Sequence, residues 1–288
     1  MVFLIILPIV ALVLFATAIT VNRFVFSPPK INEEFTDGRK VTFKSGKNRL
    51  TGYVWNETGS CGLVVIAHGM GTSVGYHLPE IRRFADKGYK VFSFEYSGYG
   101  ESKGHFNGFP QAVYDLKNAV EFIDDGSLPL ILFGHSMGGY AVCAVSEYLS
   151  RHVGAIVAYA PFYSSAEAIA ETTKAIPKFG RLIKWLITPV QYVLFGSRHR
   201  LNGVDGLRAA NAPALVLQGS GDEEVRRDGC SMYAHAAELP ENTAIFRLIE
   251  AEDSCGHITL IRKKGTQYVN EDTIKIVDAF LNESVKKI

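Results

Sequence analysis

Leu128 to Phe133 is an apolar run that breaks at Gly134-His135-Ser136-Met137-Gly138 and resumes as an Ala- and Val-rich helical stretch. Few folds accept that order of pieces. A strand buried on both faces must run into a helix through a turn too tight for most side chains. The pattern G-x-S-x-G explains how. The serine occupies a sharp, strained turn, and the residues two before and two after it lack side chains so that strand and helix can approach. Gly134 and Gly138 are therefore read as the elbow glycines. The turn holds the Ser136 hydroxyl above the sheet edge and aims a helix N-terminus at it, which makes the Met137 N–H an anion donor. The competing reading is a glycine-rich turn that only packs helix on strand.

The rest of the body alternates in the same way. Phe35 to Phe43 and Leu50 to Trp55 read as a hairpin around Ser45-Gly46-Lys47-Asn48. Leu63 to Ala67 is a short buried strand, followed by a helix from about Tyr76 to Lys87 ending at Gly88. Tyr89 to Tyr96 is a strand, and Phe109 to Asp124 an amphipathic helix with Val113, Leu116, Val120 and Ile123 on one face. Met137 to Leu149 is a helix, and Val153 to Tyr159 and Ala214 to Leu217 are strands. The chain ends helix, strand, helix: around Met232 to Glu238, Ala244 to Ile249, and Glu271 to Val285. Repeated strand–helix units predict an α/β fold with a mostly parallel central sheet and helices on both faces. Pro161 to Arg208 breaks the rhythm and reads as a helical insertion covering one end of the sheet.

A serine hydroxyl is a poor nucleophile at neutral pH and needs a base held by a third group. Asp222 follows the strand ending at Gly219. His257 follows the last strand, in Asp253-Ser254-Cys255-Gly256-His257. Glu223, Glu224 and Asp253 are the rival acids; Asp222 is preferred because the turn after a strand fixes it best. His68 reads as shaping a loop, and His135 points away from the serine. His77, His105, His152, His199 and His235 have no motif context. Cys255 reads as loop packing.

At these residues the chain resembles an α/β-hydrolase, and within that group the serine aminopeptidase S33 and monoglyceride-lipase-like branch. The resemblance covers about residues 38 to 285. Val65 to Gly71 resembles the oxyanion loop, and Phe94 to Ser102 the segment D-x-R-G-x-G-x-S, with Glu95 and Ser97 as departures. Gly219 to Val225 matches G-x-x-D-x-x-V, and Gly256-His257 the usual G-H. The chain order Ser136, Asp222, His257 is that of the family. The resemblance implies a serine hydrolase of carboxylic esters with Ser136, Asp222 and His257 as catalytic residues, the backbone N–H groups of Met70 and Met137 as oxyanion hole, and no metal or organic cofactor. A peptidase or an acyltransferase uses the same triad. A non-catalytic binding protein on the same scaffold would not need all three residues intact.

The first 22 residues are a different material. Met1 to Asn22 carries no charge, and Val2 to Val21 is apolar except for Pro8, Thr17 and Thr20. As a helix those residues span ~30 Å, a bilayer core. Arg23 is the first charge, with Phe24 and Phe26 at an expected interface. Residues 1–26 therefore read as a single-pass transmembrane anchor, with domain 31–288 as the body and the insertion at about 161–208. The alternative is a signal peptide cleaved near Ala16-Thr17-Ala18, which would make the protein secreted; the absence of Lys or Arg before the apolar run argues against it. Arg23 and Lys30 favour a cytoplasmic body.

Charge and cysteine content narrow the partners. The 288 residues carry 30 basic and 29 acidic side chains, a net charge of +1, which argues against nucleic-acid binding. The four cysteines form no CxxC pair, so neither a paired-cysteine zinc site nor a disulfide framework is expected. Within the insertion, Lys174, Lys178, Arg181, Lys184, Arg198 and Arg200 interleave with Ile176, Phe179, Leu182, Ile183, Trp185, Leu186 and Ile187, with no acid between Thr172 and Val204. Such a stretch suits an anionic membrane surface and a lipid-like acyl substrate, or else is an ordinary helix with a solvated charged face.

Overall fold

A computed structural model describes residues 2–28, 37–172 and 177–285. Phe35, Lys30, Lys174 and Ile176 lie outside the described residues, as does the start of the body at residue 31. The side chain of Lys178 is also outside them.

Eight strands form one sheet in the order β1-β2-β4-β3-β5-β6-β7-β8. They are β1 (Arg39–Ser45), β2 (Asn48–Trp55), β3 (Leu63–Ala67), β4 (Lys90–Phe94), β5 (Leu130–His135), β6 (Ala155–Tyr159), β7 (Ala214–Gly219) and β8 (Ile245–Ile249). The first two pair antiparallel, as does β2 with β4, and every later pairing is parallel. The hairpin forms where its turn residues put it. Ser45 pairs with Asn48 across Gly46-Lys47, and Gly46 takes φ +57°, which a tight two-residue hairpin turn requires.

Each central strand is apolar on both faces and feeds two cores. On β5, Leu130 and Leu132 pack on one side and Ile131 and Phe133 on the other. The first core takes α3 (Phe109–Ile123), α4 (Met137–Ala144) and α7 (Gly203–Ala210); the second takes α8 (Glu271–Val285) and Ile81 and Phe84 of α2 (Leu78–Asp86). The helix expected from Tyr76 begins two residues later, after a 3₁₀ turn at Val74–His77, because Pro79 suits the first turn of an α-helix and not its interior. The helix expected to reach Leu149 tightens to 3₁₀ at Val145–Tyr148, and Met232–Glu238 is 3₁₀ throughout. Between β6 and β7 the chain forms α5 (Ser165–Thr172) and α6 (Pro177–Phe195), then α7, which lies on α4. A β-carbon at Gly206 would meet the Cys143 carbonyl oxygen at 2.2 Å.

The apolar N-terminus is one helix, α1 (Val2–Val25). Its side chains from Ile6 to Phe15 are exposed, but towards its C-terminal end one side is covered: Ala18 and Asn22 are buried, as is Phe26 just past it. Phe24 stays at the surface, 84% exposed. Phe26 departs from the expected interfacial position, because Phe106 and Phe109 offer it edge-on aromatic contacts at 6.2 and 5.1 Å. Of the basic residues of the insertion, Arg181 and Arg200 are exposed and Lys184 is half-buried. Arg198 instead turns onto the body, over the rings of Tyr114 and Tyr148 at 5.6 Å each.

A buried ionic cluster joins α2 to the segment after His257. Arg262 donates to both carboxylate oxygens of Glu80, to the carbonyl of Tyr76 and to its own neighbour's, and lies 4.5 Å over the Tyr76 ring. His77 is fully buried with Nδ1 3.3 Å from Glu80. Burial pushes His77 below the ordinary imidazole value of 6.5, against the pull of Glu80. Burial, with the nearby His257 in support, pushes His135 well below it.

Two outcomes are expected. Gly138→Ala places a β-carbon 1.9 Å from the Ala67 carbonyl oxygen, and should lower the unfolding free energy by about 2 kcal/mol or more in urea titrations. The folded chain holds His77 and His135 neutral where the unfolded chain protonates them. Stability should therefore be complete above about pH 6.5 and decline as pH falls below it. His135→Asn should flatten that decline in urea midpoints measured from pH 8 to 5.5.

Candidate active site

The turn between β5 and α4 carries Ser136 at φ +55°, ψ −115°, a conformation side-chain-bearing residues rarely adopt. Two backbone hydrogen bonds hold it: Ser136 N–H donates to the Tyr159 carbonyl at 2.8 Å, and Tyr140 N–H donates to the Ser136 carbonyl at 2.9 Å. The flanking glycines are required by contact. A β-carbon at Gly134 would lie 2.3 Å from the Gly138 backbone, and one at Gly138 would strike β3. Ser136 is left half-buried at the mouth of a cavity of about 340 Å³.

Asp222 and His257 meet although 35 residues separate them. Asp222 stands just past the end of β7 with its carboxylate buried. One oxygen accepts from the backbone N–H groups of Glu224 (2.9 Å) and Val225 (2.8 Å); the other accepts from the Gln218 amide (3.3 Å) and lies 2.8 Å from His257 Nδ1. A carboxylate fixed by four donors cannot swing away, and it selects the tautomer with the proton on Nδ1. His257 Nε2 then carries no proton, and His257 and Ser136 both line the cavity.

The rival acids are placed otherwise. Glu224 reaches 3.7 Å from His257 Nε2 but is two-thirds exposed. Glu223 lines the cavity, and Asp253 pairs with Lys264 at 2.9 Å on the surface. Among the remaining histidines, His68 is fully buried beneath the loop it was expected to shape. Its Nδ1 lies 2.8 Å from the Gly69 carbonyl and its Nε2 3.3 Å from Glu95, with the rings of Tyr96 and Tyr99 against it. Glu95 also accepts from Val74 N–H at 2.9 Å, and Ser97 binds the buried Asp115. These contacts give the two departures from the family segment their structural place. His135 lies beside His257, rings 4.7 Å apart, and donates from Nε2 to the His257 carbonyl at 3.1 Å. His199 and His235 are held by Gly196 and by Glu167 and Glu238, while His105 and His152 are exposed. Cys255 packs in its loop: Gly221 N–H donates to its carbonyl at 3.1 Å.

Met70 and Met137 both line the cavity, Met70 from the loop after β3 and Met137 from the first turn of α4. Three features were not read from the sequence. Phe109 and Phe162, their rings tilted against each other at 4.7 Å, line the cavity on an apolar side, and Gln218 holds Asp222. Phe162 follows Pro161 after β6, a position with no motif to mark it. Among the described residues, no three His, Cys, Asp or Glu side chains are grouped to hold a metal ion.

Comparison with known proteins agrees with this architecture. The family model for serine aminopeptidase S33 matches residues 58–202. A monoacylglycerol lipase of Mycolicibacterium smegmatis is 30% identical over 139 residues, 46% of this chain and half of that lipase's own length. The human monoglyceride lipase is 27% identical over 128 residues, 42% of each chain. The solved structure of the Pyrococcus furiosus esterase Pf2001 superposes with a TM-score of 0.69 at 19% identity, covering 90% of this chain and 99% of that one. The chain thus belongs to the serine aminopeptidase S33 family of α/β-hydrolases, on its monoglyceride-lipase-like side.

Proposed function

We propose that the protein is a serine esterase acting on lipid-like acyl esters, held at a membrane by α1. The observation that carries the reading is the buried Asp222–His257 pair at 2.8 Å beside a cavity that His257 and Ser136 both line. His257 Nε2 takes the proton as Ser136 Oγ attacks the ester carbonyl. Asp222 stabilises the imidazolium that forms. The developing oxyanion takes hydrogen bonds from the Met70 and Met137 N–H groups; losing one such donor typically costs about 3–4 kcal/mol in the barrier. The imidazolium then protonates the leaving alcohol. Water, deprotonated by His257, attacks the acyl-enzyme and releases the acid with Ser136 restored.

The lining supports an acyl chain as the group held. Phe109, Phe162, Ala168, Val225 and Ile258 are apolar, and the relatives named above are lipases of acylglycerols. The exposed side of α6 supports a lipid surface nearby: Phe179, Leu182 and Trp185, the last 70% exposed, recur at helical spacing beside Arg181 and Lys184. α1 is long and apolar enough to cross a bilayer, by length and composition. Glu223 and Glu224 at the cavity favour one second reading, an amide substrate carrying an ammonium group, with an amine as leaving group.

A fluorophosphonate probe should label Ser136, and Ser136→Ala should abolish labelling. Asp222→Asn should retain the fold and lower kcat by about 10⁴-fold, the scale seen when a triad carboxylate is neutralised. On an ester series of rising chain length, kcat/KM should climb beyond the short acyl chains and exceed that for aminoacyl amides. A preference for acetyl esters would remove the lipid reading, and a preference for the amides would install the second one.

A further inference from the structure

The C-terminal part of α1 packs on the body, and the residue after it, Phe26, meets Phe109, which lines the cavity. Asn22 is 2% exposed on a mostly apolar helix whose other polar residues are Thr17, Thr20 and Arg23. Its amide N–H donates to the Asn107 carbonyl at 3.0 Å, and its side-chain oxygen accepts from Gln191 of α6 at 2.6 Å. The Gln191 amide also donates to the Asn107 carbonyl, at 2.8 Å. Three separate segments thus share one clasp: the end of α1, the last turns of α6 and the loop leading into α3. Gly108 leaves room for it, since a β-carbon there would lie 2.3 Å from Gln191 Oε1. One turn on from Asn22, Phe26 meets Phe109 edge-on at 5.1 Å. Phe109 itself lines the cavity and meets the tilted ring of Phe162, a second lining residue, at 4.7 Å.

We propose that the end of α1 is a positioning element of the acyl site: the Asn22–Gln191–Asn107 clasp and the Phe26 prop fix α6 and Phe109, and so couple seating of the N-terminal helix to the fit of long acyl chains. The proposal rests on the cavity being the acyl site. Its physical basis is the cost of disorder in the wall. An amide pair buried at a helix crossing leaves unpaired polar groups if either partner slips, so the crossing has one favoured register. A simple tether would need no such pair, and an apolar anchor gains nothing from a buried asparagine. Asn22, Gln191 and Phe26 touch no reacting atom, so their effect should fall on chain-length dependence and not on the chemistry.

The test uses the full chain in mixed micelles, with nitrophenyl acetate and a long-chain nitrophenyl ester as probes. Asn22→Ala, Gln191→Ala and Phe26→Ala should each raise KM for the long ester about tenfold, the order expected when a buried contact is removed. The acetate kcat/KM and the rate of fluorophosphonate labelling at Ser136 should change less than about twofold. The two amide variants should be non-additive when combined, since they break one interaction. Asn22→Gln with Gln191→Asn keeps the donors and should recover part of the loss. Should a truncating variant fail to fold, Asn22→Cys with Gln191→Cys closes the same contact as a disulfide, and the oxidised enzyme should keep the long-chain KM. Equal losses on both esters, unchanged KM on both, additive amide variants or inactivation by the disulfide would each overturn the coupling. No labelling of wild-type Ser136 would instead overturn the esterase reading beneath it.

Discussion

Ser136 is held in a left-handed backbone conformation that costs of order 1–3 kcal/mol for a residue with a side chain. The surrounding chain leaves it no alternative. Its N–H is committed to β6 through the Tyr159 carbonyl, and its carbonyl to Tyr140 in α4. Glycines on both sides let α4 descend until Gly138 touches β3. The central strands must therefore be apolar on both faces, because helices press on each side of them. The core of the molecule is built around holding one hydroxyl off the edge of a sheet.

His257, which lines the same cavity as Ser136, sits on a loop, and loops are poor at holding geometry. Here the loop is fastened from three directions. Asp222 holds the ring nitrogen, His135 the backbone carbonyl, and Arg262 ties the following turn to Glu80. Burial keeps His135 neutral, so it serves as a fixed donor and brings no second charge beside His257. Such an ionic cluster adds little net stability over apolar packing, because desolvating the charges offsets their attraction. What it supplies is a single register between α2 and the loop.

Much of this was legible in the residues because the signals are local and periodic. Glu271–Val285 is the helix its pattern predicts, and each predicted strand is present with its ends shifted by a few residues. The shifts have causes: Pro79 delays α2, and β5 runs on through Gly134 because parallel pairing with β3 and β6 continues to the turn. Ser136, Asp222 and His257 could be singled out because glycine spacing and strand ends mark them. Gln218, Phe162 and Asn22 could not. Phe162 and Asn22 act through neighbours distant in the chain, Gln218 through a turn four residues on, and nothing in an isolated glutamine, phenylalanine or asparagine announces that neighbour. Phe26 shows the converse: its place after an apolar run suggested lipid, while the aromatic contacts that bury it come from eighty residues further on.

The two rims of the sheet carry a consequence of their own. β1, the outermost strand on one side, presents exposed Arg39, Lys40 and Lys44 along seven residues, and β8, outermost on the other, carries Arg247. A strand from another molecule arriving at either rim would have to strip water from those cations to form its ladder. Growth of the sheet from chain to chain is thereby disfavoured at both ends.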